Sequence, residues 1–150
     1  MNTPPIDGSI VVLGKPVPQK RHRYSFKKGG VRNYDPSFTD KKKFKAKVCE
    51  FAPKRLLKGA ISLSLLFYMP RPKHHYRTGK FHHLLKDGSP TLHIVKPDIE
   101  NLSKFVMDAL QGIIWDDDCY IYSLEARKVY SDKPRTEIEY WQIKKKRGNK

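Results

Sequence analysis

The chain has 150 residues, with 31 Lys and Arg against 15 Asp and Glu, a formal net charge of +16, and 38% hydrophobic residues. That is enough apolar material for one domain with a core, which excludes wholesale disorder, and no run approaches the roughly 20 apolar residues of a membrane span. Cys49 and Cys119 lie too far apart for a zinc module or a disulfide scaffold, and the opening MNTPPIDGS lacks a signal-peptide layout, so a cytoplasmic protein with a polyanionic partner is expected.

Residues 1–8 read as an N-terminal tail, residues 9–143 as a single domain and residues 144–150 as a basic, disordered tail. Ser9–Leu13 is a short β-branched run and reads as a strand, ended by the prolines of Gly14-Lys15-Pro16-Val17-Pro18. Arg21–Phe26 and Val31–Tyr34 flank Lys27-Lys28-Gly29-Gly30 and predict a hairpin. Phe44, Val48 and Phe51 recur at helical spacing, so a helix is predicted over Asp40–Phe51, with Thr39 or Asp40 as its cap and Pro53 as its stop. Ala60–Met69 alternates cleanly and gives the clearest strand, with Ile61, Leu63, Leu65 and Phe67 on one face. From Pro70 to about Pro90 the pattern dissolves into a long basic loop, uncommon in a compact domain unless functional or mobile.

A second helix begins near Pro97–Ile99, buries Leu102, Phe105, Val106, Ala109 and Leu110, and closes at Gly112. Tyr120–Tyr130 and Thr136–Ile143 read as two strands joined by Ser131-Asp132-Lys133-Pro134. The expected fold class is α+β: a mostly antiparallel or mixed sheet with two main helices packed on it.

Charge is distributed unevenly. Between Asp98 and Asp118 there are six acids and one base, so this window carries −5 while the remainder carries +21. A carboxylate cluster in a polyanion-binding protein repels its partner unless a cation neutralises it. Hard Mg²⁺ takes oxygen ligands, commonly a few carboxylates with waters and phosphate. Asp98 and Glu100 at the mouth of the second helix, with Asp116-Asp117-Asp118 returning one helix later, supply such ligands. Each acid also has an ordinary role, as a helix cap, a first-turn acid or a solvated turn. Lys104 lies one turn beyond Glu100. Its ordinary role is an i,i+4 pair with Glu100 or Asp108, worth about 0.2–0.5 kcal/mol, and its chemical role is to steady charge on a phosphate.

The run KPDIENLSKFVMDALQGIIWDDD, Lys96 to Asp118, resembles the signature of the RusA family of Holliday-junction resolvases. In that signature an Asp-x-Asp-Asn-Leu-x-Lys segment opens a helix ending Asp-Ala-Leu, and an Asp pair follows. The segments KPVPQKRHR and MPRPKHHYRTGK are also similar to the family, so the resemblance covers about residues 10–143. It implies a homodimeric, Mg²⁺-dependent endonuclease, with Mn²⁺ as substitute, that nicks opposite strands of a four-way DNA junction in recombination and repair and uses no nucleotide cofactor. By position it implies Asp98, Glu100 and Asp117 as metal-holding catalytic acids and Lys104 as the catalytic lysine. Glu100 stands where the family more often has Asp, and Cys119-Tyr120-Ile121 where a Gln-Val pair begins the next strand. The extra aspartate leaves Asp116, Asp117 and Asp118 all open for the third place, with Asp117 favoured.

The candidate DNA contacts are Lys15, Lys20, Arg21, Arg23, Arg71, Lys73, Arg77 and Lys80. Their scatter, without a recognition helix, suits shape more than sequence readout. His74-His75 and His82-His83 do not match zinc-ligand spacing and read as part of an exposed, DNA-facing loop. In it, Tyr76, Phe81 and His82 offer aromatic wedges for unpaired bases, while Trp115 and Trp141 read as core or interface residues. Two other readings compete: a non-catalytic basic nucleic-acid-binding protein, and a different nuclease motif formed by Pro97-Asp98 with Glu125-Ala126-Arg127.

Overall fold

The computed structural model describes residues 6–144, so most of both expected tails lies outside the described residues. Six strands and two main helices follow in chain order: β1 (Gly8–Leu13), β2 (Arg23–Lys27), β3 (Gly30–Tyr34), α1 (Phe38–Val48), β4 (Ile61–Pro70), α2 (Ile99–Leu110), β5 (Ile121–Ser131) and β6 (Arg135–Gln142). The fold is α+β with a mixed four-stranded sheet in the order β1-β6-β4-β5, and β2 and β3 form a separate two-stranded ribbon.

β4 takes the centre because its alternation is strongest. Ile61, Leu63, Leu65, Phe67 and Met69 are fully buried on one face, while Ser64, Leu66 and Tyr68 on the other are only half-buried. β5 pairs parallel to β4, and α2 makes the crossover between them. β6 then pairs antiparallel to β4 on its other side and to β1 beyond. The strands read as joined by residues 131–134 are therefore not neighbours, since β4 lies between them.

α2 packs its apolar stripe onto the sheet, burying Leu102, Phe105, Val106, Ala109 and Leu110 as the periodicity predicts. α1 contributes buried Val48 and half-buried Phe44, whose ring meets Phe105 edge-on at 5.6 Å. It begins earlier than predicted, at Phe38 after Ser37. The Asp35 carboxylate accepts the Ser37 N–H at 2.8 Å and sets that start. Phe51 falls in a short 3₁₀ turn after the helix and is exposed. Trp115 is wholly buried in the core below α2. Gly8 faces Tyr140 across β1–β6, and a Cβ there would fall on the Tyr140 ring, so only glycine fits.

The 70–90 segment is more ordered than a mobile loop. It holds two short 3₁₀ turns, a bridge between Tyr76 and Leu85, and backbone bonds from Lys86 to His75 and from Arg77 to Leu84. No helix of the described residues is long and apolar enough to cross a membrane.

Candidate active site

The site is built on the first two turns of α2. Lys128, whose place on β5 is level with Phe67, donates to the carbonyls of Val95 at 2.6 Å and Pro97 at 2.7 Å. It thereby fixes the chain just before the helix. Sequence reasoning missed this positioning residue, whose signal was a lysine at a core-side strand position. Asp98 follows as N-cap, extended at φ −69° and ψ 145°, and its carbonyl accepts the Leu102 N–H at 3.2 Å. Its carboxylate makes no capping bond. The ordinary role of an N-cap aspartate is therefore not filled here.

Helical spacing sets Glu100, Lys104 and Asp108 in a row at four-residue intervals. The expected intrahelical pairing is absent: among the described residues, ion pairs engage neither Asp98, Glu100 nor Lys104. Asp108 is held instead by Lys41, at 3.1 Å, and Lys41 also meets Asp35 at 2.8 Å. Two neighbouring hollows flank the helix start. One, of about 540 Å³, is lined by Glu100, Lys104, Asp108 and Asp118, with Met107 and Leu124 as apolar wall. The other, also about 540 Å³, is lined by Asp98, Asn101, Arg21, Lys96 and Gln19.

The three consecutive aspartates have three different fates. Asp116 is exposed and pairs with Lys58 at 3.6 Å. Asp117 caps the 3₁₀ turn Asp118–Tyr120, accepting the Cys119 N–H at 2.8 Å, a bond that holds its carboxyl below the usual range. Asp118 enters the hollow beside Glu100, and its Oδ1 accepts the Trp115 indole N–H at 2.6 Å. Burial raises its carboxyl above the usual range despite that bond, and the charges of Asp108 and Asp117 add to the rise. The structure thus sets Asp118, rather than the favoured Asp117, beside Glu100. Asp117 is spent on its own turn, and Asp118 is the aspartate facing α2. The signal available in the sequence was Trp115, three residues before Asp118.

Among the described residues, no three Asp, Glu, His or Cys side chains converge closely enough to hold a metal ion together. The donors nonetheless fit a hard divalent cation in kind. They are carboxylate oxygens, and Asp118 sits among like charges with one neutral indole donor, a deficit that a cation offsets. The rival grouping of Asp98 with Glu125 and Arg127 does not form. Glu125 and Arg127 pair with each other and lie level with Ser64 and Leu66, on the sheet face away from α2.

The family model for Endodeoxyribonuclease RusA matches residues 14–140. The chain belongs to the RusA family. That family is one of Holliday-junction endonucleases, which bind branched DNA and are generally dependent on a divalent metal. The chain is also similar to the uncharacterized protein YqaN of Bacillus subtilis (strain 168), with 35% identity over 135 residues, covering 86% of this chain and 92% of YqaN.

Of the eight bases expected to contact DNA in this RusA-family chain, Arg21 lines the Asp98 hollow. Lys15 borders a smaller hollow of about 230 Å³ between β1 and α1. Lys20 pairs with Asp40 at 3.7 Å, and Arg23 is exposed on β2. Arg71 and Arg77 tie their own loop together, Arg71 on the Pro90 carbonyl at 2.8 Å and Arg77 on Asp87 at 3.3 Å. Lys73 and Lys80 are exposed, Lys80 lying 5.1 Å from the Phe81 ring. His74, His82 and His83 are exposed, whereas His75 is buried against Tyr130.

Proposed function

We propose that this chain is a Mg²⁺-dependent endonuclease, with Mn²⁺ as substitute, that resolves four-way DNA junctions by paired nicks in recombination and repair. The observation that carries the reading is that Asp118 returns to the hollow lined by Glu100 and Lys104, while Asp98, the N-cap residue of the same helix, lines the neighbouring hollow, its carboxylate making no capping bond. Asp98, Glu100 and Lys104 are exposed and solvated, so the support lies in their gathering at one helix start with the half-buried Asp118, an arrangement that catalysis would use.

Asp98, Glu100 and Asp118 would hold the divalent ion, Asp118 taking the place first expected for Asp117. Held there, such an ion would supply Lewis acidity toward a phosphoryl oxygen and lower the pKa of a water. Lys104 meets the negative charge that builds on the phosphate as the water attacks in line with the leaving oxygen. Arg21 and Lys96 bring cations to the neighbouring phosphates through the Asp98 hollow. Met107 and Leu124 give the hollow an apolar wall on its other side. A four-way junction presents two equivalent scissile phosphates, so a homodimer with two-fold symmetry matches it.

The test is incubation with a labelled mobile junction and with linear duplex, in Mg²⁺, in Mn²⁺ and in EDTA. Outer-shell changes at metal sites cost about 10–100-fold, so Asp98→Asn and Asp118→Asn are expected to cut at least about 100-fold more slowly while still binding the junction. Asp117→Asn is expected to lose less than either. Unchanged cleavage by Asp118→Asn refutes the site. The separation of Asp98 from the Glu100 hollow favours the non-catalytic reading, which requires junction binding in EDTA and no nicking with either ion.

A further inference from the structure

The β2–β3 ribbon buries almost nothing: of its ten paired residues only Ser25 is partly covered, and the rest are exposed. Two-stranded ribbons are at best marginally stable alone, so one that stands off its sheet has a use for both faces. Its register sorts the side chains. Arg23, Ser25 and Lys27 lie level with Tyr34, Arg32 and Gly30, while Tyr24 and Phe26 lie level with Asn33 and Val31. Cross-strand partners share a face, and successive pairs alternate. One face therefore carries Arg23, Arg32 and Lys27. The other carries Tyr24, Phe26 and Val31, which are 64%, 82% and 59% exposed. Over residues 21–34 there are five Lys and Arg and no acid.

The root of the ribbon is fixed beside the catalytic helix. The Gln19 N–H donates to the Asn101 carbonyl of α2 at 2.8 Å, and the Gln19 amide reaches Asp35 at 3.1 Å, clasping the two feet together. The Lys20 N–H meets the Ser37 hydroxyl at 2.8 Å. Gln19 and Arg21 both line the hollow that holds Asp98. The foot of the ribbon and Asp98 therefore share one hollow.

We infer that the β2–β3 ribbon is an arm that stacks unpaired bases of branched DNA on Tyr24 and Phe26 while Arg23, Arg32 and Lys27 follow the backbone phosphates, an inference that rests on the DNA-cleaving reading for its substrate. Its charge selects a polyanion over a second, equally cationic copy of this chain. Its exposed aromatic face selects a polyanion with open bases over a fully paired duplex, whose bases offer no free π-face.

The experiment measures binding in EDTA, so no step depends on cleavage. The full chain is titrated with a four-way junction, a duplex bearing an unpaired bulge and the same duplex fully paired, with 2-aminopurine at the unpaired position. The double variant Tyr24→Ala/Phe26→Ala is expected to lose about tenfold or more on junction and bulge and to lose the quenching of 2-aminopurine, with less than about twofold loss on paired duplex. Arg23→Gln/Arg32→Gln is expected to weaken all three and to flatten the salt dependence by about two. An unchanged thermal melt for both variants confirms that the arm carries no core. Equal affinity of Tyr24→Ala/Phe26→Ala and the parent for every DNA overturns the inference, as does conversion of a dimer to monomer by that variant with binding per protomer intact. A parent that binds through the arm but nicks nothing in Mg²⁺ defeats the nuclease reading and leaves the arm standing.

Discussion

A half-buried carboxylate beside two others is costly at neutral pH, and Asp118 is in that position. Its folded-state affinity for a proton is raised, chiefly by burial. The resulting stability is present below the ordinary value of 3.8 and is lost as pH rises through the higher folded value. Asp118→Asn keeps an acceptor for the Trp115 indole and removes the charge. It is expected to melt above the parent at pH 7.5 by on the order of a few degrees, with the gap closing as pH approaches the ordinary carboxylate range. Thermal melts at several pH values check this, and a lower melt at pH 7.5 contradicts it. Periodicity sufficed to put Glu100 and Lys104 on one polar row of α2. It was silent on three consecutive aspartates, because what separates them is a cap bond at Cys119 and an indole at Trp115, and both depend on how the turn closes.

The segment that leads from β4 to α2 is secured by two imidazoles around one ring. His75 meets Tyr130 edge-on and His93 meets it at a tilt, each with ring centres 4.7 Å away. Among the described residues the Nδ1 atoms of both are buried without a partner. Burial holds both imidazoles below their usual 6.5, helped by His74, Arg71 and Lys86 around His75 and by Lys128 beside His93. For a depressed imidazole the stability is present above 6.5 and is lost as pH falls through the folded value. Limited trypsin digestion at Arg77, Lys80 and Lys86 is therefore expected to speed up severalfold, relative to an unstructured control peptide, between pH 7.5 and 5.5, and His75→Phe/His93→Phe is expected to flatten that change. Equal pH dependence in both proteins rules it out. This order was not legible from a stretch with no period, where an inward histidine looks like its outward neighbour. The elements with strong periods, β4 and α2, were legible almost to the residue. The pairing of β5 with β4 rather than β6 was not, since a short connection between two strands ordinarily makes them neighbours.

At the scale of the whole molecule, residues 98–118 carry −5 and the rest of the chain +21. On the proposed function, the basic remainder would draw DNA in, and the window would oppose it unless a cation is held there. If six to ten phosphates are met, affinity is expected to fall about 10³–10⁵-fold between about 50 and 200 mM salt. In EDTA, Asp98→Asn and Asp118→Asn are expected to bind the junction a few-fold more tightly than the parent, and a divalent ion at constant ionic strength to narrow the difference. Anisotropy titrations measure both, and weaker binding of the two variants in EDTA contradicts the expectation.

β6 is the shared support of the sheet: β1 leans on one of its edges and β4 on the other, and it brings Ile138 and Tyr140 into the core. It is also the last of the six strands to leave the ribosome. Until it emerges, β1 has no neighbour to pair with, so folding waits on contacts that span nearly the entire described chain. A premature stop before Arg135 would accordingly leave β1 unpaired and one edge of β4 open, a sticky cationic polypeptide prone to aggregate.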